Sequence, residues 1–184
     1  MDTSYLYIVA MLLLVLYAIF IFNGFVALRM RSEASWSDID VQLKRRHNLI
    51  PRLVEAVKTY AAYERAIMEA VVEARTKGIE AHGVSEQSRA EKHLTHELRQ
   101  LLAVVENYPD IKADGTFMKL QHELVAIEDA IQNARRYYNA VVRDYNTKID
   151  SFPEMLIARP FRFVRRTYFE LENLQEAMVP KVEW

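Results

Sequence analysis

The sequence predicts an all-α protein: an N-terminal transmembrane helix, then an elongated antiparallel helical bundle of three long helices with short C-terminal helical pieces. Three observations carry this. From Thr3 to Leu28 there is no charged residue, and about 20 apolar residues suffice to span a roughly 30 Å hydrocarbon core as a helix. Beyond that stretch, apolar residues recur at helical and heptad spacing over long segments. Glycine (4) and proline (5) are scarce in the 184 residues, which suits long helices rather than a many-turned sheet. The expected organisation is an anchor with its juxtamembrane segment over residues 1–31 and a helical-bundle domain over residues 32–184.

The apolar stretch reads as a retained anchor rather than a cleaved signal. It has no basic n-region, and no small-x-small site precedes the first charges. Asp2 precedes it, whereas Arg29 and Arg31 follow it, with Lys44, Arg45 and Arg46 further on. The positive-inside rule then places the N-terminus outside and the bundle in the cytoplasm, as a single-pass protein of the cell (inner) membrane.

The first soluble arm spans Trp36 to Ala74. Trp36, Leu43, Ile50, Val57 and Val71 fall in one heptad register, and Ile39, Leu53, Tyr60, Ile67 and Ala74 in its companion, with only Arg46 and Glu64 breaking the series. Ser35 and Asp38 match the S-x-x-[DE] capping pattern of a helix that begins at Trp36. The same residues fit the solvated face of one helix continuous with the anchor, and both readings stand. Pro51 removes the N–H that would bond the His47 carbonyl, so a kink is expected within this arm. Gly78 and Gly83 bracket a polar connection, and Ser85 is a candidate cap.

Helix two is expected from about Glu86 to Asn107, with Leu94, Leu98, Leu101 and Val105 on its apolar face and Tyr108-Pro109-Asp110 as its stop. Helix three is expected from about Thr116 to Ser151. Phe117, Leu124, Ile131, Tyr138, Tyr145 and Phe152 recur every seven residues, a repeat that implies supercoiling against other helices. Tyr138, Asn139, Tyr145 and Asn146, together with Trp36 and Pro51 of the first arm, are the candidate residues for setting helix-seam register. A solvated polar face fits the asparagines equally.

After Pro153 the pattern loosens. Arg159, Phe161, Arg162, Phe163, Arg165 and Arg166 form an aromatic-basic cluster, a candidate contact for an anionic membrane surface. The competing reading packs the aromatics on the bundle and pairs the arginines with Glu154, Glu170 and Glu172. The shortness of the stretch and its interruption by Pro160 favour that second reading.

These residues together resemble the LemA family of bacterial membrane proteins. The resemblance rests on the anchor, Trp36-Ser-Asp-Ile-Asp-Val-Gln-Leu-Lys-Arg-Arg, Leu49-Ile50-Pro51 with Leu53-Val54, Tyr108-Pro109-Asp110, Tyr138-Asn139 and Tyr145-Asn146. Arg52 stands where the family usually has asparagine, and Tyr63 where histidine is common before glutamate. The resemblance implies a helical bundle behind one transmembrane segment, without known catalytic residues or cofactor.

The residues point the same way. No cysteine is present, which excludes disulfides, thiolate metal sites and thiol nucleophiles. Lys plus Arg (24) balances Asp plus Glu (25), so no global positive field recruits nucleic acid. His93, His96 and Glu97 lie within one turn, but no Glu-x-x-His or H-E-x-x-H accompanies them. No glycine-rich phosphate cradle or nucleophile elbow occurs. The expected protein is a non-enzyme with no cofactor, metal or small-molecule substrate. Its partners are the lipid bilayer and either further copies of itself or another membrane protein. Two functions follow: a scaffold that self-associates and organises or shapes the adjacent membrane, or an adaptor that binds a protease or signalling complex through a bundle face.

Overall fold

A computed structural model of the chain describes residues 3–169, so Glu170 and Glu172, named above as candidate partners of the arginines, lie outside the described residues. Every regular element among the described residues is a helix: α1 (Thr3–Tyr60), α2 (Arg65–Glu80), α3 (Gly83–Val105), α4 (Pro109–Ala113), α5 (Gly115–Asp150) and α6 (Met155–Ala158). The all-α class expected from composition and periodicity holds. Contacts divide the described chain into two compact units. One takes the residues up to Ile39 with Ala134–Tyr168, the other Asp40–Asn133 with Phe169.

In the first unit α1 changes character along its length. From Tyr5 to Phe20 its large apolar side chains are exposed, and the helix is long and apolar enough to cross a membrane. One face then becomes buried at Ile21, Phe25, Ser32, Ser35 and Ile39, the three-and-four spacing of a single helical stripe. A core forms from Ile21, Phe25, Tyr145 and Ala158, with Leu28, Ile149, Ile157 and Phe163 packed around it. The Phe25 ring meets Tyr145 edge-on at 6.4 Å and stacks on Phe163 at 4.8 Å. Each such buried side chain contributes about 1.5–3 kcal/mol relative to exposure.

The helix does not break between Arg31 and Trp36. Ser35 caps nothing: its hydroxyl donates to the Ser32 carbonyl at 3.0 Å, and that of Ser32 to Arg29 at 2.8 Å. These serines satisfy their own polar groups within the helix, so they can face a buried seam.

The second unit carries the main difference from the expected elements. The first arm is not one helix to Ala74. It ends at Tyr60, and α2 starts at Arg65. The Arg75 Nε donates to the His47 carbonyl at 2.7 Å, so α2 runs back along α1. Tyr60 donates to Asp114 at 3.1 Å and Tyr108 to Glu64 at 2.9 Å, which ties the α1–α2 and α3–α5 turns together at one end. α3 returns from Ala81–His82 against α2, and α5 descends beside α1. The unit is therefore built from four antiparallel segments, of which α1 and α2 together replace the single arm.

The apolar stripes are spent inside the chain. Leu43, Ile50, Leu53 and Val57 of α1, Met68, Val71 and Ala74 of α2, Leu94, Leu98 and Leu101 of α3, and Phe117, Leu120, Leu124, Ile127 and Ile131 of α5 are all buried. Asp114 starts α5, its carboxylate accepting from the N–H groups of Thr116 and Phe117, both at 2.8 Å, as an N-cap. The Phe117 N–H, the Tyr60 hydroxyl and the Thr116 N–H hold this carboxyl below the ordinary aspartate value of 3.8. Its contribution to stability is thus present in full above that value and is lost as pH falls through the lower folded value. Acid titration of thermal stability should show this loss in the native chain, and Asp114→Ala should show a lower melting temperature with a correspondingly shallower acid limb.

Candidate functional site

Two polar clusters stand out, one in each unit. In the second unit, Arg46 occupies a core position on α1 and is 2% exposed. Its Nη1 donates to Glu91 Oε2 at 3.1 Å, its Nη2 to Thr95 Oγ1 at 2.6 Å. Its Nε lies 2.9 Å from Glu128 Oε1, close enough to attract but with the N–H not aimed at the oxygen. The other Glu91 oxygen meets His47 Nε2 at 2.8 Å and the Gln87 amide at 2.8 Å. Thr95 in turn donates to the Glu91 carbonyl. A buried charge of this kind is tolerated only when paired and hydrogen-bonded, and the oxygens of Glu91 are taken up by Arg46, His47 and Gln87. The cluster joins α1 to α3 and α5, and it fixes register rather than exposing a reactive group.

Gly78 belongs to this cluster and not to the connection that sequence spacing suggests. It is buried in the last turn of α2, and a Cβ there would lie 3.0 Å from both Glu91 Oε1 and His47 Nε2. Because Glu91 is held from three sides, it cannot yield cheaply. Gly78→Ala should destabilise the bundle by about 1 kcal/mol despite alanine's better helix propensity, measured by chemical denaturation. A stabilised variant would mean that the cluster is looser than its distances indicate.

In the first unit, Asn146 of α5 forms a paired clamp on the backbone of Arg166. Its Nδ2 donates to the Arg166 carbonyl at 2.9 Å and its Oδ1 accepts from the Arg166 N–H at 2.8 Å. Tyr138, two turns earlier, donates to the Thr167 carbonyl at 2.9 Å, and burial pushes its hydroxyl above the ordinary tyrosine range. Trp36 packs on Tyr138, with ring centroids 5.7 Å apart. Arg166 then reaches Glu33 of α1 at 2.6 Å, where Arg29 also arrives at 3.2 Å. The two guanidiniums, Arg166 first, hold the Glu33 carboxyl below the ordinary glutamate range.

The candidate register residues are thereby separated by role. Tyr138, Tyr145 and Asn146 are buried in the first unit and Trp36 is partly buried beside them; Asn139 is partly buried, and Pro51 lies on the exposed face of α1, which continues through it. Tyr138 and Asn146 grip a non-helical segment, 163–168, rather than another helix. Phe152, the last residue of the α5 heptad series, lies beyond the helix and is exposed.

The aromatic-basic cluster divides likewise. Phe163 packs into the core, Arg165 pairs with Asp150 at 2.5 Å, and Arg166 with Glu33. Phe161 touches Phe22 edge-on at 5.0 Å but stays mostly exposed. Arg159 and Arg162 are exposed. Among the described residues no group of three His, Asp or Glu side chains is placed to hold a metal ion. His93 lies 3.6 Å from Glu97, and His96 shares a hydrogen bond with Gln100.

Arg46 shows in the sequence as a break in the stripe, whereas the roles of Glu91, His47 and Gly78 do not. A buried arginine at a heptad position demands an acid on a facing helix, and Glu91 sits one helical turn before Leu94 and Thr95. That was the available signal.

The family model described as LemA family matches residues 35–184. Magnetosome protein MamQ 2 of Paramagnetospirillum magneticum (strain ATCC 700264 / AMB-1) is 29% identical over 175 residues, covering 81% of this chain and 64% of that protein. Magnetosome protein MamQ of Magnetospirillum gryphiswaldense (strain DSM 6361 / JCM 21280 / NBRC 15271 / MSR-1) is 26% identical over 174 residues, covering 80% and 64%. Protein LemA of Metamycoplasma hominis (strain ATCC 23114 / DSM 25592 / NBRC 14850 / NCTC 10111 / PG21) is 24% identical over 142 residues, covering 76% and 64%. The chain thus spans 64% of the length of the curated relatives it matches.

Proposed function

The chain belongs to the LemA family, and on that premise we propose that it is a membrane-anchored, non-catalytic helical scaffold: the apolar start of α1 anchors it in the cell membrane and the helical segments that follow lie on the cytoplasmic side. The observation that carries this reading is α1 itself. One helix has large apolar side chains exposed from Tyr5 to Phe20 and then a single buried stripe from Ile21 to Val57. The first part suits lipid and the second suits a protein core.

Within that reading, the bundle serves as an adaptor for another membrane protein. The heptad seams that would have driven self-association are buried by the chain's own helices, and a seam already covered offers nothing to a second copy. The scaffold that self-associates to organise or shape the membrane remains the competing form, and it would have to use exposed surface instead. Light scattering of the detergent-solubilised full chain separates the two. A monomer supports the adaptor; a stable oligomer at low protein concentration overturns it in favour of self-assembly.

A further inference from the structure

We infer that the elbow joining α5 to the clamped segment, residues 151–164, is a second membrane-binding element that seats in the leaflet interface beside the span, with Arg159 and Arg162 directed to anionic lipid headgroups. This rests on the anchored reading above and adds a lipid site to it.

The elbow sits at the level where the span ends. The charge-free stretch from Thr3 to Leu28 rises about 39 Å as a helix, more than the roughly 30 Å of hydrocarbon in a bilayer. For a span whose Thr3 end sits at the opposite interface, its last turns lie in the headgroup zone. The elbow packs against those turns and the ones just before them. Phe161 and Phe163 meet Phe22 at 5.0 and 5.6 Å, and Phe163 stacks on Phe25. Ile157 and Phe161 also line an apolar groove with Leu14, Ala18 and Phe22 of the span. Lys148 marks the same level from α5, its ammonium 5.2 Å from the Phe25 ring centre. Cations and aromatic rings at one height are the composition of a membrane–water interface.

The elbow also exposes apolar side chains. Phe152 is 76% exposed, Leu156 59%, Phe161 60% and Val164 71%. Large apolar side chains gathered on one short elbow mark an interaction surface, and this one is continuous with the exposed apolar face of the span. Lipid is the occupant that already meets that face.

Charge and backbone mark the same elbow. Arg165 and Arg166 are spent on Asp150 and Glu33, whereas Arg159 and Arg162 have no ion-pair partner among the described residues. Arg162 also takes a left-handed backbone, φ 55°. Its N–H donates to Arg159 and that of Phe163 to Ala158, the closing turn of a helix where glycine is the favoured residue. An arginine there is worse for the backbone than glycine, and a headgroup contact supplies the reason for it.

The test uses the full chain, which lacks cysteine, reconstituted in phosphatidylcholine vesicles with and without phosphatidylglycerol. A bimane fluorophore is attached at Leu156→Cys, at Leu12→Cys in the span, or at Val125→Cys in the bundle. Quenching is read with lipids doxyl-labelled high on the acyl chain and with aqueous iodide. The elbow probe should be quenched by lipid severalfold more than the Val125 probe and be shielded from iodide. Arg162→Gly should keep the turn yet lose about fivefold of the surface affinity that phosphatidylglycerol adds, the share of one of the two cations. If the Leu12 probe is quenched by lipid and the Leu156 probe is not, the elbow proposal fails while anchoring stands. If the Leu12 probe is also unquenched, anchoring fails with it. Shielding from iodide without lipid quenching assigns the elbow to a protein contact and overturns the lipid site. Phosphatidylglycerol dependence unchanged by Arg162→Gly overturns the headgroup contact.

Discussion

Arg46→Ala should destabilise the bundle by about 3–5 kcal/mol, because it strips the ion-pair partner from a Glu91 side chain only 5% exposed. The loss has two parts. The guanidinium's bonds to Glu91 and Thr95 vanish, and a buried carboxylate loses much of its compensation. Denaturant unfolding of the solubilised chain, followed by circular dichroism, measures it. Glu91→Ala should be similarly costly, and the double variant should fall well short of the sum, since each single change already breaks the shared pair. Additive effects would mean that the two residues stabilise the bundle separately. A loss below about 1 kcal/mol for Arg46→Ala would be the behaviour of an exposed pair, and would contradict the buried cluster.

Asn146→Ala should release the segment that follows the elbow. Two hydrogen bonds to the Arg166 backbone disappear together, about 2 kcal/mol at ordinary net values, or roughly thirtyfold in a local opening equilibrium. The opening frees the backbone at Arg165–Arg166 that a protease must bind in extended form, so limited trypsin digestion should cut there about that much faster, with the bundle's unfolding midpoint little changed. Tyr138→Phe removes one bond to the same segment and should accelerate cleavage less. Equal cleavage in the native chain and Asn146→Ala would show that the clamp does not hold the segment.

Most of the helices were legible because their cores repeat at helical spacing. The α3 and α5 bounds, Gly83–Val105 and Gly115–Asp150, fall within a few residues of the expected Glu86–Asn107 and Thr116–Ser151. The turn at Ala61–Glu64 was not legible, and the reason is phase. Val57, Ala61, Met68 and Val71 are buried on both sides of it at spacings that also suit one unbroken helix. No glycine or proline marks it either. Tertiary bonds at that end, Tyr108 to Glu64 and Tyr60 to Asp114, supply what the local sequence omits. The Ser35 signal failed for the opposite reason: a motif for capping is present, but a serine within a helix can satisfy its hydroxyl on the preceding turn.

The polar residues were harder still. Asn146 follows the seven-residue spacing of a register key, yet its partner is backbone twenty residues on, which no periodicity encodes. Arg46 was visible as an interruption, but Gly78 resembled a connection and proved to be the space that lets Glu91 and His47 meet.

The account turns on one helix serving bilayer and bundle in succession, and a cysteine scan of α1 in native membranes tests this most directly. Single cysteines placed along 5–57 in the otherwise cysteine-free chain are reacted with a water-soluble maleimide. The account predicts protection on every face from Tyr5 to Phe20, then one-sided protection that follows Ser32, Ser35, Ile39, Leu43, Ile50 and Leu53, with Val41 and Lys58 reactive. Uniform reactivity from Tyr5 to Phe20, or reactivity on all faces between Arg31 and Ile39, would contradict it.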